Sequence, residues 1–385
     1  MPQRLLVTNC RLFNTGDDAE TVSILVENGV ITKLGRFSPP SGCEDTIDAQ
    51  GRIAAPGFID VHIQGAGGAD VLDAAPEALE TISKTCARFG TTGFLATTVF
   101  RPGGDNRHLS LAAECVGRDL GGASLLGIHI EGPFISGDRR GMILPECVCP
   151  PSREVLDRIY DLTAGHLRMM TIAPELPGGI ELVRSLVDHE VIASFGHSGA
   201  TYEQTLEGFA AGISHVTHTF NAMPSIHHRA PGPLVAILQA EQVTAQLITD
   251  GVHIHPAVVR LVFEALGPGR TIPITDGMQA MGLPDGRYVY NGIEYESRKG
   301  TARYKDGTLI GTALGLSQMV KRLMDFTGCP LGAAIRTAAE NPARLLGLLN
   351  TKGAIEIGRD ADLILLDEDL SIHTTIVAGK IIFSK

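Results

Sequence analysis

The sequence predicts an α/β protein, a (β/α)8 TIM-like barrel that carries a small β-sandwich domain formed by both chain ends. Three observations predict it. Between about residues 53 and 349, eight short apolar runs alternate with segments of helical spacing, the sign of buried parallel strands covered by helices. Both chain ends instead carry brief alternating runs separated by turn residues. Polar residues able to do chemistry gather just past the apolar runs, where such barrels carry their sites. A length of 385 residues fits one large barrel with a minor appended domain.

In chain order, residues 1–52 show apolar runs at 5–7, 22–26 and 30–34, separated by Asn14-Thr15-Gly16-Asp17-Asp18 and Glu27-Asn28-Gly29. Asn-Gly is a hairpin signal, so this is a small antiparallel sheet. Residues 350–385 repeat the style, with runs at 362–367, 372–376 and 381–383 and glycines at 358 and 379. Strands this short cannot hide an apolar face alone, so the two ends should meet in one domain, with residues 53–349 inserted between them. The barrel strands are expected at 58–64, 93–99, 125–131, 167–173, 191–197, 216–220, 244–249 and 271–275, with helices such as 77–89 and 202–211 between them. After the eighth strand, 288–309 reads as an inserted hairpin turning at Asp306-Gly307. A helix follows over 314–326, then 333–339 leading into 340–347 as the last barrel helix.

The bulk numbers narrow the function. A net charge of -11 argues against a nucleic-acid partner, because such binding draws its affinity from clustered Lys and Arg on phosphates, and favours a small-molecule substrate. Seven scattered cysteines, with Cys147-Val148-Cys149 in neither a zinc nor a redox spacing, read as reduced thiols of a cytoplasmic protein. Polar residues interrupt the first apolar patch at once, unlike a signal peptide, and no run reaches the ~20 residues of a membrane span.

Round the predicted rim stand His62, Gln64, His129, Glu131, Glu175, His197, His218, His253 and Asp276. Imidazoles and carboxylates converging on one mouth make a site for Zn or a similar divalent ion. Each has an ordinary alternative when taken alone. His62, His129, His215, His227, His228 and His255 can be hydrogen-bonded structural histidines. Glu131, apolar on both flanks, can pair with Arg139 or Arg140, since an unpaired buried carboxylate is costly. Ser198 or Thr201 can cap the helix after His197, and Asp276 can be an N-cap. His253-x-His255 imitates a metal motif, but Gly251 and Pro256 mark it as loop.

Together these segments spell a family. Residues 56–65, His-Ile-Glu-Gly-Pro-Phe at 129–134, Gly-His-Ser-Gly-Ala-Thr at 196–201, Thr-His-Thr-Phe-Asn-Ala-Met-Pro at 217–224, Asp-Gly-Val-His-Ile-His-Pro at 250–256 and Thr-Asp-Gly-Met at 275–278 resemble the N-acetylglucosamine-6-phosphate deacetylase family of the amidohydrolase superfamily. The resemblance implies one divalent metal ion per subunit at Glu131, His197 and His218, Zn before Fe, Co or Mn. It implies Asp276 as general base and then acid, and His253 as a group that polarises the acetyl carbonyl. It also implies sugar-phosphate contacts from Asn221 and Ala222, and an Arg229 that reaches the site of a neighbouring subunit in a homodimer.

Three departures from the family pattern bear on these expectations. Where many members carry His-x-His and bind two metals, this chain has His62-Ile63-Gln64, and an amide is a poor substitute for imidazole, so one metal is expected, with a weak second site at His62 as the alternative. Met142 and Ile143 occupy the loop where the family presents a phosphate-binding histidine. Arg139 or Arg140 could substitute there, and an apolar loop equally fits a substrate without phosphate. Gly277 follows Asp276 where alanine is commoner, read as packing. The implied reaction is hydrolysis of the acetamide of N-acetyl-D-glucosamine 6-phosphate. The alternatives are N-acetylgalactosamine 6-phosphate, an unphosphorylated N-acetylhexosamine, a cyclic amidase or deaminase reaction, and a non-catalytic binding barrel.

Overall fold

The computed structural model describes residues 3–16, 20–40, 43 and 45–385. Asp17 and Asp18 of the turn expected at 14–18 lie outside them. Eight parallel strands follow one another in chain order round a barrel: Phe58–Ile63, Thr91–Thr98, Ser124–Glu131, Leu167–Ile172, Ile192–Phe195, His215–Val216, Thr244–Leu247 and Thr271–Pro273. The first and second are buried at every residue, which explains why they read as continuous apolar or small runs rather than alternating ones. The seam between the first and eighth strands closes just beyond the ladder. There Asp276 N donates to the His62 carbonyl at 3.0 Å and Gln64 N to the Gly277 carbonyl at 3.0 Å.

Several strands end earlier than the sequence suggests. His197, His218 and Asp276 stand two or three residues past their strands, with φ of 48°, 24° and 46°. A left-handed backbone breaks the pleat, so the ladder stops before these residues and their side chains turn inward. Each strand leads to a covering helix, the last being Leu316–Thr327. Residues expected to supply the last barrel helix instead form Glu340–Leu345, a short helix whose Asn341 donates to the Thr271 carbonyl at 2.8 Å, at the start of the eighth strand. Helix Tyr202–Ala211 begins where expected because Thr201 and Gln204 cap it reciprocally.

The expected hairpin at 288–309 is a four-stranded antiparallel meander, Gly286–Tyr290, Ile293–Arg298, Thr301–Tyr304 and Leu309–Thr312. Besides the turn at Asp306-Gly307, it turns at Asn291-Gly292 and Lys299-Gly300, both pairs with two successive positive φ values. That is the twist a two-residue hairpin needs.

The chain ends meet in one sheet. Its strand order is Lys380–Ser384, Ile372–Val377, Leu363–Leu366, Ile53–Pro56, Arg4–Leu12, Val22–Glu27 and Val30–Gly35, with Asp45–Asp48 also on Arg4–Leu12. Ile53–Pro56 joins the halves, parallel to one and antiparallel to the other. Leu363–Leu366 is buried on both faces. Leu363 and Leu365 share a core with Leu5, Ile24 and Ile376, whereas Ile364 and Leu366 pack against Phe58, Ile272 and Met319 of the barrel side. A Cβ at Gly29 would lie 2.8 Å from the Ala378 carbonyl, so the two hairpin tips can touch only with glycine there. Among the described residues, no helix is long and apolar enough to cross a membrane.

Candidate active site

Because the strands run parallel, their ends deliver one group each to a common mouth. Glu131 is the last residue of the third strand, and His197 and His218 follow the fifth and sixth. Glu131 Oε1 stands 3.0 Å from His197 Nε2 and 2.9 Å from His218 Nε2, and the two imidazole nitrogens are 3.0 Å apart. All three side chains are buried. His197 Nδ1 faces the Arg139 carbonyl at 2.7 Å, an acceptor only, so Nδ1 carries the proton. In the neutral ring, Nε2 then points its lone pair at a carboxylate oxygen and at a second imidazole nitrogen. A cation among these three atoms removes that repulsion, so the donor set fits a divalent metal ion, with one carboxylate and two imidazoles leaving positions open. Burial opposes ionisation of Glu131, yet the surrounding histidines hold its carboxyl well below the usual range. Its ion-pair partners are histidines; Arg140 instead donates to the Ile143 carbonyl and Arg139 offers its own carbonyl to His197.

Beside this trio lies a second set. His62 donates from Nδ1 to Gln246 Oε1 at 3.0 Å, and its Nε2 stands 3.3 Å from Asp276 Oδ1 and 3.6 Å from Glu131 Oε1. Burial pushes the His62 pKa down, but the Glu131 and Asp276 carboxylates prevail and raise it to about 9. The Gln64 amide nitrogen is 3.2 Å from Asp276 Oδ1 and 3.4 Å from Glu131 Oε2.

On the far wall, His253 Nδ1 meets Asp250 Oδ2 at 2.8 Å, while Asp250 Oδ1 accepts from the backbone N–H groups of Val252 and His253. Despite burial, these bonds hold the Asp250 carboxyl below its ordinary range. The mouth is a cavity lined by Glu131, His197, His218, His253 and Asp276 from the rim, with Asn221 and Ala222 beside them. Gly141 and Met142 of one loop and Leu309 and Ile310 of the inserted meander complete the wall. Positive φ values gather here on residues other than glycine: Phe220 at 78° and Ala222 at 54° join His197, His218 and Asp276. Each such residue costs of order 1–3 kcal/mol, and this concentration at one mouth marks a functional site.

Other residues weighed from the sequence fall elsewhere. His129 spends both ring nitrogens on the Thr97 and Thr171 hydroxyls and is a core histidine. His215 bonds Thr244, and burial lowers its pKa to about 3. His255 caps helix Pro256–Leu266 through the Ala257 N–H, so the His253-x-His255 pair does not act as one unit. Glu175 binds the Ser198 hydroxyl at 2.7 Å and the Gly199 N–H at 2.6 Å, anchoring the turn that carries His197. Arg229 sits on the exposed segment 225–230 against His228 and does not line this chain's cavity. Ile143 is buried beside Val99, Ile135 and Cys147, away from the mouth, whereas Met142 reaches it. All seven cysteines are free. Gln246, Leu309 and Ile310 carried no sequence signal of their own; Gln246 could have been found only as a polar residue in the apolar run 244–249, and Asp250 stood in the motif 250–256 without a role of its own.

Residues 53–382 match the amidohydrolase family. N-acetylglucosamine-6-phosphate deacetylase of Bacillus subtilis (strain 168) is 35% identical over 388 residues, covering 100% of this chain and 98% of that protein. The chain belongs to the N-acetylglucosamine-6-phosphate deacetylase family. Within that family, the Mycobacterium smegmatis enzyme, solved as an Asp-to-Ala mutant in complex with N-acetyl-D-glucosamine-6-phosphate, superposes with a TM-score of 0.89 at 31% identity, covering 100% of both chains. N-acetylgalactosamine-6-phosphate deacetylase of Escherichia coli O157:H7 is 34% identical, covering 86% of this chain and 87% of that protein. In this amidohydrolase-family member, the buried Glu131, His197 and His218 form a group that could hold a metal ion.

Proposed function

We propose that this protein hydrolyses the acetamide of N-acetyl-D-glucosamine 6-phosphate to glucosamine 6-phosphate and acetate, using one divalent metal ion, Zn before Fe, Co or Mn, at Glu131, His197 and His218. The observation that carries the reading is Asp276 standing beside this trio, its Oδ1 3.3 Å from His62 Nε2, in a cavity shared with His253. What a bound divalent cation supplies is Lewis-acid polarisation of the amide carbonyl and a water of lowered pKa.

The chain's own groups do the rest. Asp276, held by the Gln64 amide and facing His62 Nε2, takes the proton of the attacking water and returns it to the leaving amine. His253, oriented by Asp250, donates toward the carbonyl oxygen as negative charge develops there. Asn221, tied to the His218 carbonyl at 3.2 Å, and the Ala222 backbone hold the sugar phosphate. Met142, Leu309 and Ile310 keep bulk water from the reacting centre. Arg229, exposed and outside its own cavity, serves the phosphate of a neighbouring subunit in a cytoplasmic homodimer.

Replacing Asp276 with Asn lowers acetate release by about 10²–10⁴-fold while metal content stays constant; retained turnover would overturn the assignment. The Escherichia coli relative supports a second reading, N-acetylgalactosamine 6-phosphate as substrate. Acetate release from both phosphorylated sugars and from plain N-acetylhexosamine, with and without Arg229→Ala, separates the two and tests the need for phosphate.

A further inference from the structure

A second cavity, of about 560 Å3, opens where the loops after the first and second barrel strands meet the inserted meander, and it shares no lining residue with the mouth. Its volume is that of a small-molecule site. Four segments supply its polar wall: Asp70 from the hairpin after the first strand, Arg101 from just past the second, Gln279 from beyond Asp276, and Asn291 from a turn of the meander. Backbone bonds hold the wall together. Gly65 pairs with Asp70 across the hairpin, and Gly67 and Gly68 donate to the Met281 and Gln279 carbonyls, both at 2.8 Å.

Asp70 is only 2% exposed, and its Oδ1 accepts the Leu72 N–H at 2.9 Å. Its Oδ2 has no partner, and neither has the buried Oε1 of Gln279. Two buried acceptors need donors, and a buried carboxylate also needs a positive charge. Burial, opposed by the Leu72 N–H, lifts the Asp70 pKa to about 7, and a cation beside Oδ2 would keep the group ionised. Arg101 shows the complementary lack. Its Nη2 donates to the neutral Asn291 Oδ1, and among the described residues it pairs with no carboxylate. A guanidinium in that state suits a phosphate or a carboxylate. Asp70 and Arg101 therefore line one cavity without pairing, one in want of a cation and the other of an anion.

We propose that this cavity is a second ligand site, for a small zwitterion whose primary ammonium group donates to Asp70 Oδ2 and Gln279 Oε1 and whose anionic group meets Arg101. An ammonium brings three donors and a full charge, which is what the two oxygens lack. Amino-sugar phosphates have this chemistry. The choice of that class rests on the proposed reaction: its product, glucosamine 6-phosphate, carries both charges, whereas the acetamide of the substrate is neutral and leaves Asp70 unpaired.

Equilibrium dialysis of the whole metal-loaded chain against glucosamine 6-phosphate tests this. Wild type should bind one more molecule per chain than either Asp70→Asn or Arg101→Gln, with the fold of each variant checked by circular dichroism. Equal counts in wild type and a folded variant overturn the site, and two variants guard against one that fails to fold. Glucosamine, which lacks the anion, and glucose 6-phosphate, which lacks the ammonium, should each fill the extra site at least about tenfold more weakly. Either one binding there as tightly overturns the zwitterion. Failure of the wild type to release acetate from any N-acetylhexosamine phosphate would overturn the proposed reaction instead, and the difference in count would still decide this inference.

Discussion

Two charge clusters, one buried at the barrel mouth and one half-buried where the small sheet meets the barrel, are built on opposite plans. At the junction, Lys352 Nζ stands 2.9 Å from Asp360 Oδ2 and 2.6 Å from Asp362 Oδ2, and Asp362 Oδ1 accepts the Ala378 N–H at 2.8 Å. Burial works against the Lys352 charge, but Asp362 outweighs it and holds the pKa above the ordinary lysine value. Every charge there meets an opposite charge or a backbone donor from the chain itself. At the mouth, the Glu131 oxygen and two imidazole nitrogens crowd within 3.0 Å with no hydrogen fixed between the two rings. The difference separates structure from function: a cluster complete in itself holds the fold, and one completed only by a guest is a site.

Breaking the mouth should have the largest effect. Glu131→Gln removes the charge that a cation needs, so metal affinity and acetate release should both fall by more than about 100-fold, while the circular-dichroism spectrum of the fold persists. Metal content and folding measured on one sample check this. If the metal is retained, the mouth is not the site that the contrast claims.

Breaking the junction should do the reverse. Lys352→Met leaves Asp362 buried without its partner and should cost about 3–5 kcal/mol in urea unfolding at neutral pH. Folded protein should keep its metal content and kcat. A loss of kcat at full folding would show that the two clusters are coupled.

The packing that links the regions comes next. Ile364→Ala removes a side chain from the face shared with the barrel and should cost about 2–4 kcal/mol, again with the metal content unchanged.

The smallest effect is at the sheet's rim. Arg52 bonds Asp367 at 2.8 Å and is the main reason the Asp367 pKa falls to about 2. A depressed folded-state value gives stability that is present above the unfolded pKa of about 3.9 and lost as pH falls toward 2. The pair is partly exposed, so the contribution is below about 1 kcal/mol. Comparing Arg52→Ala with wild type in chemical denaturation between pH 5 and 2 should show their difference shrinking as Asp367 protonates; a constant difference would assign it to packing.

Much of this molecule is legible in the chain. The eight barrel strands appear at their expected places because a buried parallel strand needs an apolar run, and that is a local property. The hairpin at Asn28-Gly29 follows from two residues that tolerate positive φ, at 51° and 82°. In the meander, Asn291-Gly292 carries the same signal and Lys299-Gly300 a weaker one, but the polar strands between them do not stand out as runs. The strands before His197 and His218 end earlier than their sequence runs suggest, since nothing local announces a left-handed turn at a histidine.

The sequence by itself determined the class of fold, the meeting of the chain ends and the residue types gathered at the rim. These depend on periodicity, turn chemistry and the need to bury apolar faces. Only the tertiary structure decided which ring nitrogens face inward, that His129 is bonded away in the core, and that Gln246 and Asp250 orient His62 and His253. It alone set the Gln64 amide between two carboxylates from strands far apart in the chain. The physical reason is distance: barrel closure and strand stagger fix separations of about 3 Å between residues scores of positions apart, and a hydrogen bond or a metal site depends on those separations rather than on order along the chain.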